Sequence, residues 1–156
     1  MIRTWAVALI AIFVTSMASA KPKHCLVRVY AQGNPRDGDT FATPMTAPIS
    51  GSRIFVQKIP AISEHDVVAY RGYPAPDGTF GAVLQLDEHG RIALETLSIE
   101  QRGRNLIVIV NNRAVTELLV DRRVGDGQLY IPAGLTAADI QLMAKDWPQI
   151  GAKKRR

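Results

Sequence analysis

The stretch from residue 79 to residue 147 most constrains the fold, because strands, helices and turns follow one another there with a signal at each junction. Leu106 to Val110 are five consecutive apolar and mostly β-branched residues, which predicts a central strand covered on both faces. Asn111 and Asn112 then predict a two-residue hairpin turn, since asparagine tolerates positive φ. The whole pattern predicts an α+β fold in which a single antiparallel β-sheet is packed by two or three helices on one face.

Three helix starts are marked by polar side chains that accept hydrogen bonds from free backbone N–H groups. They are Ser63 with Asp66, Asp87, and Thr136 with Asp139. The second helix is predicted to bury Ile92, Leu94 and Leu97. The first and last starts both follow an Ile-Pro-Ala segment. This leaves open either a duplicated strand-to-helix unit or convergence on the same capping chemistry, and in both cases the two helices are expected on one face of the sheet.

Further strands are predicted where apolar and β-branched residues run between turn signals. They are residues 25–30, 53–59, 79–86, 113–120 and 128–131. Pro132 is predicted to end the last of them, because proline cannot donate to a strand ladder. Residues 31–51 form a long connection that contains proline and glycine, and Phe41 and Met45 are expected to hold part of it against the body.

The first twenty residues have the pattern of a secretory signal peptide. Arg3 precedes an apolar run from Trp5 to Val14, and Ala18-Ser19-Ala20 supplies the small residues of a cleavage site. This run is shorter than the ~20 residues of a spanning helix, although an uncleaved anchor is the alternative. Cleavage near Ala20 predicts an exported protein, periplasmic or secreted. The predicted organisation is a signal peptide (1–20), an N-terminal strand and connection (21–51), an α+β domain (52–148) and a basic tail (149–156).

Positive charge is concentrated at the chain ends. Of the 19 lysines and arginines, seven lie in the signal peptide or the tails, so the body carries 12 basic against 14 acidic residues. A domain that binds nucleic acid would show a basic face on its folded body, which argues against such a partner. The basic residues at 153–156 are either a solvated end or a weak contact to an anionic membrane surface.

The sequence has one cysteine, Cys25, so a disulfide within one chain is excluded. Export normally leads to an oxidising compartment, and the core is therefore expected to hold the fold without a covalent cross-link. Cys25 is predicted to be buried in the first strand, with a cross-link between two chains as the alternative. The oligomeric state is left open.

Residues with catalytic chemistry are present, but their spacing is not catalytic. Ser63, His65 and Asp66 lie within one helical turn, where neighbours one and two apart point away from each other, so they form no Ser–His–Asp relay. The three histidines lack the spacing of metal ligands, and no phosphate-binding or dinucleotide-binding motif is present. The sequence predicts no enzyme activity, no metal and no cofactor. The alternative is a periplasmic hydrolase whose site is assembled from distant residues.

The predicted partner contact is Tyr70, Arg71 and Tyr73, on a loop stiffened by Pro74 and Pro76. Tyrosine and arginine are enriched among the residues that dominate protein interfaces. The alternative is that one tyrosine closes the end of the core while the loop only connects two elements.

A second candidate surface consists of the four arginines at positions 102, 104, 122 and 123. They form a basic patch if the hairpin brings the two pairs together. Otherwise they are ordinary charges at a helix end and in a turn.

Several of these segments together resemble a known family. They are Leu84 to Asp87, Gly90, Leu94, Leu97-Ser98, Gly103, Leu106 to Val110, Asn112-Arg113, Ile131 and Gly134 to Thr136 with Asp139. The pattern resembles the head subdomain of the first periplasmic region of SecD, a membrane subunit of the bacterial protein-export machinery. It is also similar to small exported proteins that carry this head alone. The likeness covers about half of the chain that follows the signal peptide.

The resemblance implies a periplasmic α+β module that handles polypeptide or docks to an envelope protein, and is binding or structural rather than catalytic. Extended peptide would be held by strand addition at a sheet edge or by the loop that carries Tyr70 and Tyr73. The membrane spans and charged intramembrane residues of SecD have no counterpart in this sequence, so the resemblance does not extend to proton-driven translocation.

Overall fold

The computed structural model describes residues 23–152. The predicted signal peptide at 1–20 and the basic residues at 153–156 lie outside the described residues. Between residues 23 and 152, no helix is both long enough and apolar enough to cross a membrane.

Nine strands are found in the part of the chain that the structure describes. They are Val27–Ala31 (β1), Ala42–Thr46 (β2), Arg53–Gln57 (β3), Ile62–Ser63 (β4), Val67–Pro74 (β5), Phe80–Leu86 (β6), Asn105–Val110 (β7), Arg113–Leu119 (β8) and Gln128–Leu135 (β9). Three α-helices accompany them, at Gly38–Phe41 (α1), Glu88–Glu100 (α2) and Ala137–Asp146 (α3). Short 3-10 turns lie at Pro35–Asp37 and Glu64–Asp66.

The α+β class is confirmed and the strands of every ladder are antiparallel, but they form three sheets instead of the predicted single one. The first sheet has the order β4-β1-β7-β8, the second pairs β2 with β3, and the third has the order β5-β6-β9. The division arises between β8 and β9. Their link is held over α2, where the Ser98 hydroxyl accepts a hydrogen bond from the Val124 N–H at 2.9 Å. These consecutive strands do not form a ladder with each other.

The main core lies between the first and third sheets and is closed by α2 and α3. It includes Val29 of β1, Leu84 of β6, Leu94 of α2, Val108 of β7 and Met143 of α3, all of which are buried. Helices and two sheets thus share one apolar interior, which is the usual way for an antiparallel sheet to bury one face.

The β2–β3 hairpin covers the other face of the first sheet. Ile107 of β7 packs there with Ile54 and Val56 of β3, so β7 is covered on both faces, as its apolar run predicted. Met45 packs against the same cluster, whereas Phe41 is 69% exposed. The expectation that Phe41 also holds this connection to the body is wrong, because the turn at α1 directs its side chain to solvent.

The prediction of a helix after Ser63 is wrong. Ser63 and Asp66 do form the predicted capping box, but the box closes only the 3-10 turn, and the chain continues as β5. The box stabilises one turn, whereas β5 pairs with β6 at seven positions, and this long-range pairing outweighs the local preference. The expected pair of similar helices on one face is therefore absent, since of the two starts only Thr136 leads into an α-helix.

The other two helix starts are confirmed. Asp87 accepts a hydrogen bond from the Gly90 N–H at the start of α2, and Thr136 with Asp139 forms a complete capping box at the start of α3. Leu94 is buried as predicted, whereas Ile92 is half exposed and lies towards the solvent side of α2.

Two details of the strands follow from backbone geometry. Asn111 and Asn112 have φ values of 49° and 63°, which confirms the predicted hairpin turn. β9 does not end at Pro132 as predicted, but continues to Leu135. Proline is tolerated there because β9 is an edge strand and its register with β6 shifts beside this residue.

Cys25 is buried at the start of the first sheet, as predicted. Its N–H donates to an Asp146 carboxylate oxygen at 2.6 Å, which ties the N-terminal segment to the end of α3. Burial, reinforced by nearby carboxylates, raises the pKa of the Cys25 thiol to about 12. A thiol that is both buried and protonated is a poor nucleophile.

Candidate functional site

An open groove lies between β8 and β9, the strands that end the first and third sheets. The strands approach each other at Gly134, whose carbonyl accepts a hydrogen bond from Arg113 at 2.9 Å. Towards the link held by Ser98 they enclose a volume of about 440 Å³. The lining is mainly apolar and includes Val83, Leu94, Leu106, Leu118, Leu129 and Tyr130.

The β8 side of the groove carries unpaired backbone groups. Val120, next to the end of β8, directs its N–H to the Arg104 carbonyl, at 2.9 Å, on the side of β7. Hydrogen-bonding direction alternates along an antiparallel strand, so the N–H and C=O of Leu119 face away from β7 and towards the groove. The Leu119 side chain is 64% exposed at the rim.

The β9 side is arranged in the same way. The Gly127 carbonyl accepts a hydrogen bond from the Leu86 N–H of β6 at 2.8 Å. By the same alternation, the Gln128 carbonyl and both backbone groups of Tyr130 face the groove, whereas the Gln128 N–H donates to the Asp126 carboxylate at 3.0 Å. The groove therefore has donors and acceptors along both sides and apolar side chains beneath, which is the surface that an added strand requires.

The four arginines singled out in the sequence lie on neighbouring backbone segments near one end of this groove, which Arg122 lines. A hydrogen bond of 2.8 Å from the Gly103 N–H to the Val120 carbonyl brings positions 102 and 104 close to 122 and 123. Arg123 pairs with Glu95 of α2, and Asp121 and Asp126 also line the groove. The end of the groove thus has charges of both signs rather than a uniformly basic surface.

Tyr70, Arg71 and Tyr73, the predicted partner contacts, lie on β5 and not on a loop. Pairing of β5 with β6 extends as far as Pro74, which places all three within the third sheet. Side chains alternate along a strand, so Tyr70 is buried at 3% exposure, while Arg71 and Tyr73 lie on the outer face. The structure brings Arg71 and Tyr73 together on one surface and separates Tyr70 from them.

This outer face adjoins the groove through Tyr130. Arg71, Val83 and Tyr130 are register partners across the three strands. The rings of Tyr73 and Tyr130 stack with centroids 5.7 Å apart, and the Tyr73 hydroxyl donates to the Ile131 carbonyl at 2.8 Å. Burial, together with hydrogen bonding to Tyr130, raises the pKa of Tyr73. Tyr130 was missed in the sequence because its position next to Tyr73 depends on strand register.

Replacing Gly81 with alanine is expected to displace the Tyr73 ring. The ring lies across Gly81, and an added Cβ would overlap its carbons and its hydroxyl. Loss of the hydroxyl's hydrogen bond is expected to lower the free energy of unfolding by about 1 kcal/mol. The pKa of Tyr73 is expected to fall towards the ordinary tyrosine value of about 10. Ultraviolet titration of the tyrosines measures this change.

Gly125→Ala is the matched control for this substitution. An added Cβ there would be 3.7 Å from its nearest neighbour, an ordinary contact, and Tyr73 would not be disturbed. A titration curve for Gly81→Ala that coincides with that of Gly125→Ala would contradict the assigned position of the Tyr73 ring.

A second cluster consists of Asp66, Asp87 and His89, which place one potential metal-ligand atom each within 4.8 Å of one another. Sequence spacing did not indicate this grouping, because the folded chain brings the 3-10 turn to the start of α2. Both carboxylates already have local partners. Asp66 accepts from the Ser63 N–H at 2.7 Å, and Asp87 accepts from the Gly90 N–H at 2.8 Å. The arrangement is that of two adjoining caps.

The contacts in this cluster do not have the order of a catalytic triad. The Asp66 carboxylate lies between Ser63 and His89, with the Ser63 hydroxyl at 3.2 Å and the His89 Nδ1 at 2.7 Å. A Ser–His–Asp relay needs the histidine beside the serine. Burial opposes ionisation of Asp66, but the hydrogen bonds from Ser63 and His89 outweigh it and lower its pKa. The hydrogen bond between His89 and Asp66 also raises the pKa of His89.

The fold and the groove define an α+β module with two facing strand edges. Its fold is similar to part of SecDF. One match is the crystal structure of SecDF in the super-membrane-facing form, with a TM-score of 0.54 and 13% identity over 80% of this chain and 19% of that chain. Another is a structure of SecDF as a membrane component that enhances protein export, with a TM-score of 0.54 and 14% identity over 85% of this chain and 69% of that chain.

These matches confirm the fold that the resemblance to the SecD head predicted. No family model matches the sequence, and no curated protein matches it. The chain spans about a fifth of the first SecDF structure, so it corresponds to one part of that protein. At this level of identity the likeness concerns the fold.

Proposed function

We propose that this protein is an exported, non-enzymatic module that binds extended polypeptide, or an extended segment of an envelope protein, by strand addition between β8 and β9. The observation that carries the proposal is the groove with a strand edge on each side and an apolar lining. Pairing with backbone groups gives affinity for peptides of many sequences. Contacts with every second side chain of the bound peptide make some of these sequences bind better than others.

The outer face of the third sheet supports the same function. Arg71, Tyr73 and Tyr130 lie beside the groove and offer aromatic and cationic contacts of the kind that anchor protein partners. A peptide that pairs with β9 would pass next to these side chains. Tyr70 contributes by filling the core beneath them.

Export is the second part of the proposal. The pattern at 1–20 is that of a signal peptide, and one similar structure is described as a component that enhances protein export. A polypeptide that is still unfolded after crossing a membrane has the extended backbone that the groove accepts. The basic tail would add weak contact with an anionic membrane surface.

A peptide that alternates valine and threonine tests the mode of binding. We expect it to bind the intact protein, with affinity measured by calorimetry. The same peptide with alternate backbone nitrogens methylated keeps its side chains but cannot pair along one edge. We expect it to bind about tenfold more weakly or worse, since it loses several backbone hydrogen bonds. Equal affinity of the two peptides would count against strand addition.

Leu119→Lys tests the location. The side chain lies at the rim and is exposed, so the substitution is expected to leave stability nearly unchanged while its charge weakens the binding of an apolar segment. Ile59→Lys is the matched control, because Ile59 is 80% exposed and lies beside a different cavity. If both variants bind the peptide as the parent does, the groove is not the site.

A further inference from the structure

The chain's own C-terminal segment forms a short strand on the other edge of the third sheet. The Tyr70 N–H donates to the Pro148 carbonyl at 3.0 Å, and the Ile150 N–H donates to the Tyr70 carbonyl at 2.8 Å. Gln149 is thereby paired with Tyr70 in parallel. Residues 148–150, here called the strap, therefore cover the edge of β5, while β9 forms the opposite edge of the same sheet.

The strap covers little of this edge. Its bridge involves one residue of β5, which runs from Val67 to Pro74. After Ile150, Gly151 adopts a φ of +83°, and the Ala152 N–H donates to the Gln149 carbonyl at 3.0 Å. A glycine is required at position 151 because other residues rarely adopt this φ. Within the described residues, which end at Ala152, no backbone hydrogen bond joins this segment to Gly72.

The rest of the edge is suited to a longer strand. The backbone groups of Tyr70 face outwards, and by alternation those of Gly72 face the same way. A guest strand that continued past the position of Ile150 would reach Gly72 and form pairs that the strap does not. Trp147, which precedes the strap, packs against the main core and would keep the released segment close by.

We propose that the edge of β5 is a second strand-docking site, which the strap closes and which an extended polypeptide opens by pairing with Tyr70 in parallel in its place. The pairing geometry comes from the strap itself. The inference rests on the proposed function only for the class of ligand, since this edge and the groove are on opposite sides of the sheet.

Hydrogen exchange in the full chain tests the displacement. Leu119→Lys is used as the background, so that the groove is weakened, and the valine–threonine peptide is added to saturation. We expect the Ile150 N–H to exchange about tenfold faster, as it loses its acceptor, while the Tyr70 N–H stays protected by the new strand. An Ile150 exchange rate that peptide does not change would overturn the proposal.

A second pair of variants tests the site without that peptide. Ile150→Pro removes the donor to Tyr70, and Ile150→Ala, the matched control, removes the side chain and keeps the donor. We expect about tenfold faster exchange of the Tyr70 N–H in the proline variant only. Addition of a synthetic peptide of residues 147–152 is expected to restore protection. If the peptide leaves Tyr70 unprotected, this edge does not accept a strand, whatever the groove binds.

Discussion

Replacement of Asp139 with alanine is expected to lower the free energy of unfolding by about 3 kcal/mol, because it leaves several partly buried donors without an acceptor. Asp139 is 5% exposed. Its carboxylate accepts hydrogen bonds from the Thr136 N–H at 2.8 Å, from Asn111 Nδ2 at 2.7 Å and from Arg113 at 2.7 Å. It therefore joins the start of α3 to the β7–β8 hairpin. Urea denaturation followed by circular dichroism measures the loss.

Asp121→Ala is the matched control, because Asp121 is an exposed acid in the link that follows β8. Its effect on the free energy of unfolding is expected to be within about 0.5 kcal/mol. Equal losses in the two variants would show that the contacts of Asp139 do not stabilise the fold.

The same carboxylate gives the protein a defined pH dependence. Burial opposes its ionisation, but hydrogen bonds from Thr136 and Asn111 and the charge of Arg113 outweigh burial and lower the pKa of Asp139. A carboxyl whose pKa is lower in the folded state stabilises the fold above its unfolded-state value of about 3.9, and this contribution is lost as pH falls through the folded-state value. Stability curves of the parent and of Asp139→Ala are therefore expected to converge in acid below about pH 4.

Replacement of Gly134 with alanine is expected to cost about 3 kcal/mol, from backbone strain and steric overlap together. Gly134 has a φ of +91°, which side chains rarely permit. An added Cβ would lie 2.9 Å from the Val115 carbonyl oxygen, which is backbone and not the end of a flexible side chain. The substitution separates β8 from β9 at the point where they meet, so we expect weaker binding of the valine–threonine peptide as well. Thermal unfolding and calorimetry measure the two effects.

Gly125→Ala again provides the comparison. It adds the same methyl group to the link between the same two strands, at a position without positive φ and with room for a Cβ. We expect its melting temperature to remain close to that of the parent. A Gly134→Ala variant as stable as Gly125→Ala would disprove the close approach of β8 and β9.

Several features that depend only on neighbours in the chain were predicted correctly from the sequence. The capping boxes of Ser63 and Thr136 are formed by hydrogen bonds three residues apart, and the turn at Asn111 depends on the tolerance of asparagine for positive φ. The apolar run of β7 predicted burial on both faces without specifying what covers them. These features, with the spacing of glycines, were sufficient to indicate the SecD-like fold.

Features that depend on distant partners were not predicted correctly from the sequence. After Ser63 the local residues predicted a helix, but pairing with β6 selected a strand and moved Tyr70, Arg71 and Tyr73 from a loop into a sheet. The stacking of the Tyr130 ring on the Tyr73 ring depends on strand register across three strands. A shift of one residue would place these rings on opposite faces.

The sequence by itself determined the starts of α2 and α3, the turn at Asn111 and which strand is central, because those choices rest on contacts within a few residues. Only the tertiary structure decided that β8 and β9 remain apart and that residues 148–150 cover β5. Neither choice is local: the link after β8 is tied to α2 by the hydrogen bond from Val124 to Ser98, and residues 148–150 pair with Tyr70 through backbone groups. Backbone groups are the same in every residue, so side-chain identity does not reveal which edges are left open.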